Sequence, residues 1–275
     1  MIQPVPRPAE SALIYRVPRW DPAWAVPEVP VPESDTHDAA IEWLRALLLA
    51  WVARTGRDIK VARNLGIRWV REEPRAGFDP DLCLIEPSPP KDEPLASLRL
   101  WQPAHEPPLL AIEIVSPRHP YKDYVDTPER CAACGVGELW VYDPMLVGPS
   151  ARGGPYLLQV WHRARGGFRR AHAGSGAAFS PALRAWLHPG QSRLPSGAQL
   201  QVSNDAAGRD RWLTAEECAR ATERQARSAE QQARSAEQQA RSAEHEVRAL
   251  LEEERRERAA LEQKLRALEE ERHSR

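Results

Sequence analysis

From about Leu213 onward the chain reads as helix throughout and contains a repeat of seven residues, and this period constrains its architecture more than any other feature. The run ARSAEQQ-ARSAEQQ-ARSAEHE sets alanines at 226, 229, 233, 236, 240 and 243, then Val247 and Leu250, in the alternating three–four spacing of a helical seam. Past Leu250 the register slips, and Leu261, Leu265 and Leu268 resume it after charged residues. Residues 213–275 therefore read as a helical tail that carries no chemistry of its own. Alanine buries little area per heptad, so two forms remain open: a self-associating coiled coil, or a solvated single helix held by charge pairs.

The remainder divides once more. Residues 1–35 are rich in proline and read as an extended arm, with Trp20 and Trp24 as candidates to pin it to a domain surface. Residues 36–212 read as one mixed α/β domain. The segment ESDTHDAAIEWLRALLLAWVARTG predicts a helix, with Asp35 or Thr36 as cap, Ile41, Leu44, Leu48 and Trp51 on one face, and Gly56 as its stop. DIKVARN and GIRWVRE predict a hairpin turning at Asn64–Gly66, and DLCLIEP a third strand. LLAIEIVS is the most apolar strand. A helix starting near Pro128 and closing at Gly135, then the strand ELWVYDP, complete a crossover that makes those two strands parallel neighbours. A second hairpin turns at Gly166–Gly167, and residues 188–209 read as an irregular Pro/Gly/Ser-rich stretch.

Composition narrows the functional classes. A net charge of -1 gives no global attraction to nucleic acid, so any affinity for DNA has to come from a local basic surface. The candidate is Arg163, Arg165, Arg169 and Arg170 on the second hairpin, beside Trp161 and Phe168, although solvated hairpin arginines explain the same pattern. No apolar run approaches the roughly 18 residues that span a bilayer, and the N-terminus has no apolar core of a secretory signal. Four cysteines form no disulfide framework in a chain of this size, which predicts a reduced, cytoplasmic protein. Cys131 and Cys134 have the Cys-x-x-Cys spacing of zinc and redox sites, but no second pair accompanies them, and small core residues on one helical face are the simpler reading.

The most informative residue is Glu113, in the middle of LLAIEIVS. A strand this apolar is buried on both faces, and an unpaired carboxylate inside it costs several kcal/mol. It calls for a cation, an arginine such as Arg63 or Arg68, or a function that tolerates the cost. Asp81 opens another strand directly after Pro80. Two carboxylates from adjacent strands can share a hard divalent ion such as magnesium, which can activate water and neutralise a phosphoryl group in transit.

These motifs together resemble the Uma-type restriction endonucleases of the PD-(D/E)xK superfamily. The resemblance rests on Pro80–Asp81, Glu113 with Ser116–Pro117, Gly135–Val136, Glu138, Trp140 and Asp143–Pro144, with His37 ahead of the first helix, and spans roughly residues 30–190. It implies a restriction-endonuclease-like mixed sheet flanked by helices, in which Asp81 and Glu113 bind magnesium or manganese and a lysine helps to activate the attacking water. The chain departs from the family at that lysine. The superfamily position, two residues after Glu113, is Val115, and the position usual in Uma-type proteins is Thr127. The nearest substitutes are Lys122 and Arg130, and arginine, which stays protonated, is the poorer one.

The expectation is a metal-dependent DNA endonuclease with Asp81, Glu113 and Lys122 as its catalytic residues, oligomerised through residues 213–275. The alternative is a nuclease-like domain with impaired catalysis that acts as a DNA- or protein-binding module. A third reading gives the protein an interaction role carried by the coiled coil alone.

Overall fold

The computed structural model describes residues 14–15, 21, 24, 35–90, 95–150, 153–165, 167–190 and 199–273. Most of the proline-rich arm, including Trp20, lies outside the described residues. The chain divides into two compact units, Met1–Ala215 and Glu216–Arg275.

The first unit is mixed α/β. Its strands are β1 (Ile14–Tyr15), β2 (Lys60–Arg63), β3 (Gly66–Arg68), β4 (Gly77–Phe78), β5 (Leu82–Ile85), β6 (Ser97–Arg99), β7 (Leu110–Ile114), β8 (Glu138–Tyr142), β9 (Leu158–Ala164), β10 (Gly167–Gly174), β11 (Ala178–Ser180), β12 (Ala185–Gly190) and β13 (Gln199–Ser203). The helices are α1 (Asp35–Thr55) and α2 (Thr127–Cys134), the latter entered through a π-helical turn, Lys122–Asp126. Among the described residues a seven-stranded sheet runs in the order β1-β10-β9-β8-β7-β5-β2. β7 and β8 are its parallel pair, and the other neighbours are antiparallel. The parallel pair follows from the crossover through α2, as the strand–helix–strand order requires.

Side chains alternate across this sheet and divide the core. Leu110, Ile112 and Ile114 of β7 pack with Leu82, Leu84, Trp140 and Tyr142 against Ile41, Leu44, Leu47, Leu48 and Trp51 of α1. The three-stranded sheet β11-β12-β13 contributes Ala185, Leu187, Leu200 and Val202 to the same layer, and Trp212 stacks on Trp51 with centroids 5.4 Å apart. The opposite face carries Ala111, Val115, Cys83 and Val141 against Tyr124, Val125, Cys131 and Cys134, with Trp24, Trp69 and Phe78 from the arm and the small sheet β4-β3-β6. Trp24 is buried and lies 5.9 Å from Trp69.

Two local expectations are corrected. β2 and β3 form no hairpin: β2 pairs with β5, and β3 pairs with β4 and β6 in a different sheet. The turn signal is real, since Asn64 has φ 49°, but it is used to pass the chain between sheets. The stretch 188–209 contains the end of β12 and all of β13. Pro189 is tolerated in β12 because β11 pairs only with Ala185–Leu187, so no strand on that side needs its missing N–H. The helix expected near Pro128 is α2, which begins at Thr127 and is preceded by the π-helical turn. Its end is at Gly135, φ 100°, in the left-handed conformation.

The second unit is one helix, α3 (Ala215–His273), of 59 residues. Glu–Arg pairs four residues apart run along it: Glu216–Arg220, Glu223–Arg227, Glu230–Arg234 and Glu237–Arg241. Such pairs support an exposed helix. Val247, Leu250, Leu251 and Leu261 are exposed. No helix among the described residues is long and apolar enough to cross a membrane.

Candidate active site

β7 is buried along its whole length, and Glu113 with it, at 1% exposure. Strand alternation turns the Glu113 side chain toward the α2 layer, between the core residues Ala111 and Val115. Asp81 immediately precedes β5, whose antiparallel register pairs Leu82 with Ile112; one residue further along, Asp81 stands opposite Glu113. Its Oδ2 accepts the Ile114 N–H at 2.7 Å. His37, on the first turn of α1, places Nε2 2.8 Å from the Ile114 carbonyl oxygen and 3.2 Å from Asp81 Oδ2. The imidazole and the strand amide thus fix the aspartate from two sides.

The π-helical turn closes the site. Lys122 Nζ lies 3.8 Å from Glu113 Oε1 and 3.8 Å from Asp123 Oδ1. The Thr127 hydroxyl donates to the same Glu113 Oε1 at 3.3 Å. Neither arginine considered as a partner for Glu113 serves as one: Arg68 binds Asp79 at 2.7 Å, and Arg63 binds Asp38 and Glu42 on α1. Arg130 donates from Nη1 to the Gly77 carbonyl at 2.9 Å, where its charge still acts on Glu113.

The electrostatics are those of an acidic cluster with one lysine over it. Burial pushes Glu113 well above the usual carboxylate range, and Asp81 and Asp123 add to the rise while Lys122 opposes it. Burial likewise pushes Asp123 up to about 7, again against the pull of Lys122 and with Asp81 adding to it. Glu113 in turn raises Lys122, which stays protonated through the physiological range.

Asp123 and Thr127 also line the candidate site; Thr127 stands where Uma-type proteins carry their lysine, and Asp123 is not among the residues that the sequence motifs mark. The missed signal for Asp123 is helical spacing: it lies four residues before Thr127, on the same face of the chain entering α2. For Lys122 no such rule applies, because it reaches Glu113 only through the π-helical turn.

The donor chemistry here, carboxylate oxygens, suits a hard divalent cation. Among the described residues no group of three His, Cys, Asp or Glu side chains converges as a metal cluster.

Other motif residues turn out to be structural. Glu138 is buried in β8 and accepts hydrogen bonds from Trp140 Nε1 and, at 2.9 Å, from the Ala182 N–H. Asp143 accepts the Val147 and Gly148 amides at 3.0 and 2.8 Å and so shapes the loop after β8. Cys131 and Cys134 are buried in the α2 face of the core, and burial pushes both thiols up, Cys134 to about 12. Of the arginine hairpin, Arg163 donates to the Val136 and Cys131 carbonyls at the end of α2, and Arg170 stacks over Tyr156 and Trp161. Arg165 and Arg169 are exposed.

Residues 26–153 match the Uma2 family, described as putative restriction endonuclease. The matched Uma2 region runs from the arm through the loop after β8 and holds every residue of the acidic cluster, together with Lys122 and His37. A solved structure titled as a putative nuclease belonging to DUF820, from Anabaena variabilis, is 16% identical over 56% of this chain and 76% of that one, with a TM-score of 0.39. No curated protein matches.

Proposed function

We propose that this protein is a metal-dependent DNA endonuclease that hydrolyses phosphodiester bonds, with Asp81 and Glu113 as the carboxylates that hold magnesium or manganese and Lys122 as their charge partner. The observation that carries the reading is the Lys122 ammonium 3.8 Å from Glu113 Oε1, which supplies the lysine that Val115 and Thr127 do not. The Uma2 match supports the same reaction class.

In this reading Glu113 and Asp81 are the ligands, and a bound divalent ion supplies neutralisation of the phosphoryl oxygens and acidification of a water. Lys122 is held protonated by Glu113, so it acts through charge, stabilising the negative charge that develops on the scissile phosphate. Its side chain is 41% exposed, which leaves it open to substrate. His37 and the Ile114 amide keep Asp81 in place. Arg165 and Arg169 are the arginines of the β9–β10 hairpin available to phosphates. The tail, α3, brings two or more copies together so that paired sites act on both strands. The cytoplasm is the compartment that suits four free cysteines.

The competing reading, a domain that binds DNA or protein without cutting, draws on Val115 and Thr127, which occupy the two positions where the family pattern carries its lysine. One assay separates the two. Purified protein is incubated with supercoiled plasmid and magnesium or manganese, beside Glu113→Ala and Lys122→Ala. Nicking by the wild type that both variants lose supports the nuclease. Cleavage that persists in Glu113→Ala removes the site assignment, and a wild type that binds without nicking leaves the binding module.

A further inference from the structure

We infer that Tyr124 is a positioning residue for the Lys122–Glu113 pair, clamping the π-helical turn so that the lysine faces the buried glutamate. For its effect on catalysis the inference rests on the nuclease reading; for its effect on the lysine it stands alone.

The need for a clamp comes from the turn itself. Lys122 and Thr127 both contact Glu113 Oε1, yet they are five residues apart. On an α-helix such residues point about 140° away from each other. In the π-helical turn the Thr127 N–H bonds to the Lys122 carbonyl, and this five-residue spacing brings both side chains to one side. π-Helical turns are rare and do not persist by local propensity, so something outside the turn has to hold this one.

Tyr124, in the middle of the turn, has the contacts to do so. It is 1% exposed. Its hydroxyl accepts the Tyr156 N–H at 2.9 Å and shares its proton between Asp143 Oδ2 at 2.9 Å and the Tyr156 carbonyl at 3.0 Å. The ring rests on two glycines. A Cβ at Gly154 would stand 2.9 Å from Tyr124 Cε1, and one at Gly148 would overlap the ring. Asp143 binds the Gly148 amide as well as the phenol, so a single carboxylate sets both the loop and the ring. All these partners belong to the β8–β9 side of the fold, and none to the acidic cluster. The clamp thus fixes the turn from a part of the fold that does not touch the carboxylates, one residue from Asp123 and two from Lys122.

Tyr124→Phe removes the hydroxyl and keeps the ring. The first readout is acylation of Lys122 by acetic anhydride, followed by mass spectrometry with Lys60 and Lys264 as internal references. Relative acylation of Lys122 should rise about fivefold, the equivalent of one lost hydrogen bond. The second readout is plasmid cleavage: kcat should fall roughly tenfold with KM unchanged, since the lysine acts in the transition state. Gly154→Ala, which pushes on the ring from its other contact, repeats both measurements should Tyr124→Phe not fold. Unchanged Lys122 acylation overturns the clamp. Faster acylation with unchanged kcat, in a protein whose cleavage depends on Lys122, overturns the positioning role. A wild type that never cleaves overturns the nuclease reading instead, and the acylation result then decides the clamp by itself.

Discussion

Lys122 and Glu113 form the contact whose energetics discriminate most sharply between readings of this site. Coulomb's law at 3.8 Å with an effective dielectric of about 20 gives roughly 4 kcal/mol of attraction. The lysine is 41% exposed, and solvent screening lowers this to about 1–2 kcal/mol. Lys122→Met should therefore destabilise the domain by about 1–2 kcal/mol, because it leaves Glu113 and Asp123 buried without their cation. Glu113→Gln removes a charge that burial, Asp81 and Asp123 all oppose, so it should leave stability unchanged or raise it by up to about 1 kcal/mol. The double variant should lie closer to Glu113→Gln alone than Lys122→Met lies to the wild type, because only Asp123 then loses its cation, giving a coupling of about 1–2 kcal/mol in the cycle. Urea unfolding in EDTA buffer measures this, followed by tryptophan fluorescence. All ten tryptophans precede residue 213, so the signal reports on the α/β unit and not on α3. A coupling near zero, or a Glu113→Gln variant several kcal/mol less stable than wild type, would refute the placement of the lysine over the glutamate.

The same cluster predicts a pH dependence. Asp123 is raised from its ordinary 3.8 to about 7, so its contribution to stability is present below its unfolded value and lost as pH rises through about 7; urea midpoints in EDTA should move in that direction between pH 5 and 8, while added magnesium should stabilise more at pH 8, where the carboxylates are ionised. Thiol titration of the native protein should find Cys218 reactive and Cys83, Cys131 and Cys134 silent, since burial shields all three and pushes Cys83 and Cys134 up to about 12. All four should react in denaturant. Truncation after Trp212 keeps the Trp51–Trp212 stack. It should leave the thermal transition of the α/β unit in place while reducing the particle to a monomer by light scattering, and an unchanged oligomeric state would remove the self-association proposal.

Several parts of the fold were legible because their causes are local. The long helix is written in a seven-residue period, and α1 in its spaced apolar residues ended by Gly56. The parallel pairing of β7 and β8 follows from the crossover between them. Glu113 announced itself by chemistry, a carboxylate inside a run of Ile and Val that has to be buried. The hairpin expected of β2 and β3 failed because a turn residue such as Asn64 specifies a change of direction and not the strand that is met afterwards. The small β11-β12-β13 sheet was hidden because its strands are short and cross a proline-bearing stretch, so burial against α1 rather than propensity makes them strands.

What the sequence determined by itself is the set of elements and the presence of two carboxylates, Asp81 and Glu113, in strand context. Only the tertiary structure decided what surrounds them. Lys122 faces Glu113 because a π-helical turn, held by Tyr124 against Asp143 and two glycines, shifts the angular position of side chains entering α2. The physical reason is that periodicity is a property of neighbouring residues. The conformation of that turn is fixed by contacts with residues 19 to 32 positions away, which no local pattern encodes.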